Sequence, residues 1–445
     1  MMIEQHYDEE VLAAFLDEPS DAAGADLHLS SCNLCRQTLG SLRETVDLLH
    51  DGSVWDARPI ESAPRPETIA FLRNAAARLA DEDSIAEQHV ALLLSGSREE
   101  WALRLNEHPQ WHTAGLVRKL IAATDRFNFS VPLDAVEVTR LALSVAKGLP
   151  SEIPGRQSLL ADAWREHAYA LNYTSAHREA LHAVDQADLA LESQGSDYDR
   201  ARVLLMRALV IGMMDRWPEA ASLASRAADV FQRFGDIRKY VSARMTEAAL
   251  LYDASLHRDA LEALAKLRPY ESSMEPSAFG MLLHNRALSH REVGDFERAE
   301  SFFIQAVSIF ERTGAIALLS RAHWHLARLV MRKAEYQRAL PLLDRLRDEF
   351  REMGMPHEVA YVSVDMAECL MVLNRSAEVV DLCRSAMSFF ESAGMSAGKG
   401  AMTALAYLRE AAAGGNLTRE HLSDVRSFFD VLPRQPNLVF ASPSV

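Results

Sequence analysis

A repeat of about 40 residues constrains the fold of this chain more than any other feature. Six short segments align on a residue, alanine in five of them, that directly follows a charged residue. These anchor residues are Ala180, Ala220, Ala260, Ala299, Ala339 and Val379. Self-similarity at a fixed period is the signature of repeat architectures, so the spacing of 39 or 40 residues predicts one structural unit stacked on the next.

Two further sets of residues keep the same period. Small residues lie twelve positions before the anchors, at Ala168, Ala208, Ala248, Ala287, Ala327 and Ala367. Apolar residues lie seven positions after them, at Ala187, Ala227, Leu267, Ala306, Leu346 and Ala386. Because small residues let two helices approach closely, each unit is predicted to be a helical hairpin.

The ends of the second helices also repeat. A large apolar residue is followed four positions later by glycine in five units, which predicts glycine caps at the helix ends. The pairs are Leu191 and Gly195, Phe231 and Gly235, Phe310 and Gly314, Phe350 and Gly354, and Phe390 and Gly394. The third unit lacks the glycine, and a proline is expected to end its helix.

Residues 160–395 resemble tetratricopeptide repeats (TPRs), with Trp164 at the family's first large position and Ala168 and Ala180 at its small positions, and the solenoid is predicted to span residues 156–396. They depart from the family in length, since its unit has about 34 residues. The resemblance implies an α-solenoid that binds a second protein or a peptide. Residues 66–155 are predicted to be degenerate helical repeats.

Residues 397–445 are predicted to form capping helices and a tail, because apolar residues there form a stripe on one face of a helix and polar residues cover the opposite face. The stripe comprises Leu422, Val425, Phe428, Phe429 and Leu432. Residues 52–65 contain Pro59 and Pro64 and are predicted to be a linker. The expected fold is therefore all-α, with a small N-terminal bundle followed by an α-solenoid of hairpins.

Composition limits the kinds of partner. The 47 basic and 63 acidic side chains give a net charge of −16, which would repel a phosphate backbone, so direct binding to nucleic acid is disfavoured. We find no apolar run long enough to span a bilayer and no signal peptide, and four cysteines make no disulfide framework. We expect a soluble, cytoplasmic protein that does not bind membranes.

The segment HLSSCNLC, residues 28–35, is the clearest candidate for a metal site. On a helix His28, Cys32 and Cys35 share one face, and zinc prefers nitrogen and sulfur ligands. His6 is the favoured fourth ligand, and His50 is the alternative. Zinc would stabilise the domain of residues 1–51, which is near the lower size limit for folding on apolar burial alone. Another interpretation is a surface histidine beside two ordinary buried thiols.

His6, the His-x3-Cys-x2-Cys motif and the amphipathic segment after it resemble the zinc-binding anti-sigma domain of bacteria. The resemblance implies that residues 1–80 bind and restrain a sigma factor. A fourth helix over residues 66–80 would then present Ile69, Leu72, Ala76 and Leu79, or this segment merely begins the solenoid. The rival interpretation is a scaffold in which zinc folds a docking module with no role in transcription. A third interpretation is an enzyme that uses the zinc, which would need an open coordination position.

Other groups of reactive residues favour packing over catalysis, and we expect no enzymatic activity. His323 and His325, two positions apart, point to different sides of a helix. Cys383 occupies a core position of its repeat, and Cys369 lies on the preceding helix. Two sets of arginines suggest either a groove for an acidic peptide or, as preferred, a solvated face with local ion pairs. These are Arg321, Arg328 and Arg332, and Arg338, Arg345 and Arg347.

Overall fold

The structure is a computed structural model that describes residues 32–33, 35–40, 66–128, 131–174, 176–192, 195–392, 398–432 and 438–441. Within these ranges every regular element is a helix, as the sequence predicted. No helix in this described part is both long and apolar enough to cross a bilayer. The predicted domain boundaries at residues 51, 65, 155 and 396 remain predictions.

Eighteen α-helices occupy the ranges from Pro66 onward. They are α1 (Pro66–Leu93), α2 (Arg98–Glu107), α3 (Ala114–Asn128), α4 (Pro132–Gly148), α5 (Arg156–Tyr173), α6 (His177–Ala190), α7 (Asp197–Gly212), α8 (Trp217–Arg233), α9 (Ile237–Asp253), α10 (His257–Ala265), α11 (Pro276–Glu292), α12 (Phe296–Thr313), α13 (Ile316–Arg332), α14 (Tyr336–Glu352), α15 (Pro356–Val372), α16 (Ala377–Ser392), α17 (Gly398–Ala413) and α18 (Arg419–Val431). Two 3₁₀ turns, Pro109–Trp111 and Arg268–Ser273, lie between helices.

The chain divides into two compact units. The first contains the residues up to Ala170 with His182–Val203 and Val230–Asp236, and the second contains Leu171–Leu181, Leu204–Asp229 and Ile237 onward.

The first unit is built around the packing of α3 on α1 and α4. Its core includes Leu93, Trp101, Leu116 and Val145, all buried. Arg118 on α3 bonds to both Glu82 and Asp83 on α1, at 2.9 Å in each case. These contacts fix the C-terminal half of α1 in this unit.

The N-terminal half of α1 has a different environment. Ala76 is exposed and Leu79 is half exposed, whereas Ala86 and Val90, further along the same face, are buried. The side chain of Leu72, predicted to share this face, lies outside the described residues. Residues 66–93 therefore form one continuous helix, and its first buried residue among those described, Ala86, comes only after about five turns.

The second unit is an array in which each helix packs on the next along the chain from α9 to α18. The first helices of its hairpins, α9, α11, α13 and α15, begin 39 or 40 residues apart. Most contacts are therefore between near neighbours in sequence, as expected for stacked repeats. The exception is α18, which also packs on α15.

The predicted repeat positions form the core. All six anchors and the small residues twelve positions earlier are buried, and so are the six residues seven positions later. The large residues before the glycines are buried as well. The apolar stripe predicted near the C-terminus is buried on α18, where Thr418 caps the helix by accepting a hydrogen bond from the His421 amide.

The glycine caps are confirmed in part. Gly235, Gly314 and Gly354 have φ of 71°, 68° and 65°, the left-handed conformation that glycine adopts at least cost. Gly195 has no positive φ, and Gly394 lies outside the described residues. In the third unit Arg286 takes over the capping role, because it donates to the Leu264 carbonyl at 3.1 Å and bonds to Glu271.

A left-handed residue also recurs within the hairpins, just before the second helix. It is Asp215, Ser255, Gly294, Ala334 or Asn374, with φ between 58° and 85°. Only one of the five is glycine, which is why the sequence pattern did not reveal this turn. The conformation costs an L-residue about 1–2 kcal/mol, and the turn is kept because the two helices packed on either side determine it.

Candidate ligand-binding site

A cavity of about 360 Å³ in the second unit is lined by arginines from three helices. We call it the arginine cavity. Its lining residues are Arg291, Arg328, Met331, Arg332, Tyr336, Asp365, Glu368, Arg419, Leu422 and Arg426. Helical periodicity places them together, since residues three, four or seven apart lie on one face. The array then sets α11, α13 and α15 side by side, and α18 packs on α15.

Asp365 is the buried acidic centre of the site and is 2% exposed. Its Oδ1 accepts a hydrogen bond from Arg426 Nη2 at 2.8 Å, and its Oδ2 accepts one from Trp324 Nε1 at 2.8 Å. Arg328 Nε lies 3.6 Å from the same Oδ2, and its guanidinium lies over the Trp324 ring. The carboxylate therefore joins α13 and α18 to α15.

Arg426 also pairs with Glu368, at 2.5 Å from Nη2 to Oε2. Burial acts to lower the pKa of Arg426, but the charges of Asp365 and Glu368 outweigh it, and the pKa is raised overall. Arg426 therefore stays charged and ties α18 to the array.

Arg291 reaches the cavity from α11. Its Nε donates to Glu292 at 2.8 Å, its Nη2 to the Tyr252 hydroxyl at 3.0 Å, and its Nη1 lies 3.1 Å from His325 Nδ1. Since arginine can only donate, His325 accepts through Nδ1 and carries its proton on Nε2. Burial lowers the pKa of His325 well below its ordinary value, and His284 and Arg291 add to the effect. The imidazole is therefore neutral.

Positive charge is in excess at this site. Five arginines line the cavity, against the carboxylates of Asp365 and Glu368 on its wall and of Glu292 behind it. Arg332 and Arg419 form no ion pair or hydrogen bond with any residue in the described ranges. Two guanidinium groups are thus available to a ligand at the wall of the cavity.

The predicted zinc ligands are described only in part. Cys35 is buried, Cys32 is half-buried, and the Cys35 amide lies 3.5 Å from Cys32 Sγ. His6 and His28 lie outside the described residues. Among the residues that are described, no three His, Cys, Asp or Glu side chains are grouped to hold a metal ion. The zinc site stays a prediction.

The two predicted sets of arginines behave differently. Arg338 and Arg345 are exposed and form local ion pairs with Glu335 and Glu349, as the preferred interpretation of a solvated face predicts, whereas Arg347, which pairs with Asp344, is largely buried. In the set on α13 Arg332 is exposed and Arg321 and Arg328 are partly exposed, but none of the three forms the predicted local ion pair with a described residue of that helix. Arg321 bonds to Glu358 on α15 at 2.5 Å, while Arg328 and Arg332 line the arginine cavity.

The remaining groups pack as predicted. Cys369 and Cys383 are buried, and burial raises the pKa of each thiol to about 12. His325 stacks on Trp324 with ring centroids 5.2 Å apart, and His284 lies against Phe303.

Sequence reasoning missed Arg291, Asp365, Arg419 and Arg426 as site residues. The sequence did contain one indication that Asp365 is special. It lies in the most apolar of the first helices of the hairpins, and a single carboxylate buried there needs a hydrogen-bond or ion-pair partner. The partner, Arg426, is 61 residues away.

No family model matches this sequence, and no curated protein is similar to it in sequence. Its fold is similar to the apo form of RapI, with a TM-score of 0.53 and 14% identity over 81% of this chain and 99% of RapI. The described chain is a TPR-like helical repeat protein. Aspartyl phosphate phosphatase F of Bacillus subtilis aligns with a TM-score of 0.49 and 12% identity, over 87% of this chain and all of that one.

A third similar structure is a signal transduction ATPase from Pyrococcus horikoshii with a tetratricopeptide repeat sensor. It aligns with a TM-score of 0.46 and 12% identity over 98% of this chain and 75% of its own.

Proposed function

We propose that this chain is a non-enzymatic regulator that acts by binding, and that its second unit recognises an acidic group of a protein or peptide partner in the arginine cavity. The observation that carries the proposal is the excess of arginine at one cavity in a chain with a net charge of −16. Guanidinium groups match the geometry of carboxylate and phosphate oxygens, so they suit anion recognition.

The groups on the cavity wall favour binding over catalysis. Arginine stays protonated in proteins and cannot serve as a base. Asp365 and Glu368 are both held in ion pairs with Arg426, which leaves neither of them aimed at a ligand as a proton acceptor. The two thiols of this unit lie in the core with raised pKa values, which makes them poor nucleophiles.

A charge-reversal experiment tests whether the arginine cavity binds an acidic ligand. Binding of fluorescein-labelled pentaglutamate to the full chain is followed by anisotropy for wild type, Arg332→Glu and Arg419→Glu. Each reversal is expected to weaken binding about ten-fold or more, since one charge-assisted hydrogen bond contributes roughly 1.5–3 kcal/mol. Arg384→Glu is the matched control, because Arg384 is exposed on α16 and pairs locally with Asp381. Equal affinity in all four proteins would show that the cavity is not the site.

We further propose that residues 1–80 form a zinc-stabilised, anti-sigma-like module that binds and restrains a sigma factor in the cytoplasm. Its support is the ligand spacing of His28, Cys32 and Cys35 and the residues shared with the anti-sigma domain. The alternative is that zinc folds a docking module of a TPR scaffold with no role in transcription.

Metal content of the full chain tests the zinc module, with Cys32→Ala and Cys35→Ala compared against Cys383→Ala, a buried cysteine of the second unit that is far from the motif in sequence. One zinc per chain is expected in wild type and in the Cys383 variant, and none in the other two. If all three variants retained zinc, this proposal would be wrong. Binding of purified sigma factors from the same genome then separates the two alternatives, because a scaffold binds none of them.

A further inference from the structure

We infer that the acidic group recognised by the arginine cavity is a phosphate monoester, held between Arg332 on α13 and Arg419 on α18. This inference rests on the proposed role of the cavity and names the chemistry of its ligand. The phosphate belongs either to a small phosphorylated molecule or to a phosphorylated side chain of a peptide.

The charge of the site is the first argument. Five arginines face three carboxylates at or directly behind the wall, which leaves an excess of two positive charges. A phosphate monoester carries about −1.5 to −2 at neutral pH and balances this excess. A carboxylate carries one negative charge and leaves the other positive charge without a counterion.

The hydrogen-bond donors are the second argument. In the described part of the chain, Arg332, Arg419 and the Tyr336 hydroxyl have no hydrogen-bond partner, although all three line the same cavity. Two guanidinium forks and one hydroxyl offer more donors than the two oxygens of a carboxylate can accept. The three outer oxygens of a phosphate monoester can accept from all three side chains.

The size of the cavity limits what carries the phosphate. A volume of about 360 Å³ is near the lower end of the range for ligand pockets, roughly 300–1,000 Å³. The cavity therefore admits the phosphate with a small carrier, such as one amino-acid side chain. Because the two available arginines lie on different helices, the ligand would also bridge α13 and α18.

Calorimetric titration of the full chain at fixed ionic strength tests the inference with three five-residue peptides. They are identical except for a central phosphoserine, glutamate or serine, and O-phosphoserine is titrated as a separate probe. The phosphopeptide is expected to bind one per chain and at least about ten-fold more tightly than the glutamate peptide, because the extra charge-assisted bond is made only by the phosphate. Equal binding of the phosphopeptide and free phosphoserine indicates a small-molecule ligand, and tighter peptide binding indicates a protein partner.

Arg332→Gln and Arg419→Gln should each weaken phosphopeptide binding about ten-fold or more, while Arg384→Gln should not. Since neither cavity arginine pairs with a described residue, the melting temperatures of both variants without ligand should stay near that of wild type. The phosphopeptide should raise the melting temperatures of wild type and Arg384→Gln more than those of the two cavity variants.

The inference is overturned if the glutamate peptide binds as tightly as the phosphopeptide, or if both glutamine variants keep wild-type affinity. Equal binding of the two peptides together with arginine-dependent binding of pentaglutamate would leave the acidic-ligand proposal intact. If no anionic probe binds, both the phosphate inference and the acidic-ligand proposal are wrong.

Discussion

Trp324 on α13 donates its indole N–H to the Asp365 carboxylate on α15 at 2.8 Å, which places a hydrogen-bonded tryptophan behind the arginine cavity. Asp365 is buried, so an unmade bond to it is costly. We expect Trp324→Phe to lower the free energy of unfolding by about 1–2 kcal/mol, measured as a shift of the urea midpoint. Tyr336→Phe is the control, since its hydroxyl has no described partner, and it should change the midpoint little.

The left-handed hairpin turns predict two opposite effects at equivalent positions. Ala334 has φ of 61° and Gly294 has φ of 85°. Ala334→Gly should stabilise the chain by several tenths of a kcal/mol, because glycine adopts this conformation without a steric cost and only its larger entropy in the unfolded chain opposes the gain. Gly294→Ala should destabilise it by about 1 kcal/mol, although a Cβ there would meet no atom within 4 Å. Thermal unfolding of both variants checks the signs, and two changes of the same sign would contradict the turn geometry.

Close helix contacts predict a different kind of glycine effect. A Cβ at Gly280 on α11 would lie 2.6 Å from Cε1 of the buried Phe310 ring and 3.1 Å from Ile309. Gly280→Ala should therefore destabilise the chain by about 1–3 kcal/mol, despite the better helix propensity of alanine. At Gly212 the conflict is with the methyl end of Leu250, a flexible side chain, so Gly212→Ala should cost less than about 1 kcal/mol. Urea unfolding measures both changes, and a larger loss of stability for Gly212→Ala than for Gly280→Ala would contradict this prediction.

Acid should destabilise the first unit through His167. This side chain is buried, its Nδ1 lies 2.8 Å from the Thr139 hydroxyl, and burial, then Arg140 and Lys147, lower its pKa to about 4. In the unfolded chain the pKa of histidine is about 6.5, so between pH 6.5 and 4 the unfolded state binds the proton more tightly. The depressed pKa of His167 therefore contributes stability at neutral pH, and this contribution is lost as the pH falls from 6.5 to about 4.

Melting temperatures at pH 7, 5.5 and 4.5 measure this effect. His167→Gln retains a hydrogen-bonding side chain but no titrating group, so its melting temperature should fall less over the same range. Identical pH dependence of the two proteins would show that His167 does not contribute.

The two thiols of the hairpin array should be inert in the folded protein. Burial raises the pKa of Cys369 and of Cys383 to about 12, and the thiolate is the reactive form. Iodoacetamide at pH 7.5, followed by peptide mass spectrometry, should label neither residue in the native chain and both in urea. Rapid native labelling of Cys383 would contradict its place in the core.

The fold was predictable from the sequence because its determinants are local. Ala180 and its five equivalents recur at a fixed distance from each other, and a small residue buried between two helices has the same role in every unit. The capping of the third unit by Arg286 was not predictable, because its acceptors come from the helix before it and from a 3₁₀ turn. The hairpin turns were missed because Ser255 and Ala334 carry no sign of a left-handed backbone.

The candidate site was less predictable than the fold, because its residues are brought together only by the packing of helices that are distant in sequence. Arg328 and Arg332 share a helix face that sequence alone cannot distinguish from an ordinary solvated face. What makes this face a cavity is the return of α18 across α15, and nothing in the period of the repeats specifies that contact. Arg419 lines the same cavity as Arg332 only because α18 packs back on α15.

The pairing of Asp365 with Arg426 spans 61 residues in a unit whose other packing is mostly between neighbours. During synthesis the hairpins can therefore assemble one after another while the chain is still growing, because each needs only the helix before it. The arginine cavity cannot, since its last wall emerges from the ribosome only after α17. A nascent chain would reach a folded, repeat-bearing form before the proposed ligand site was complete.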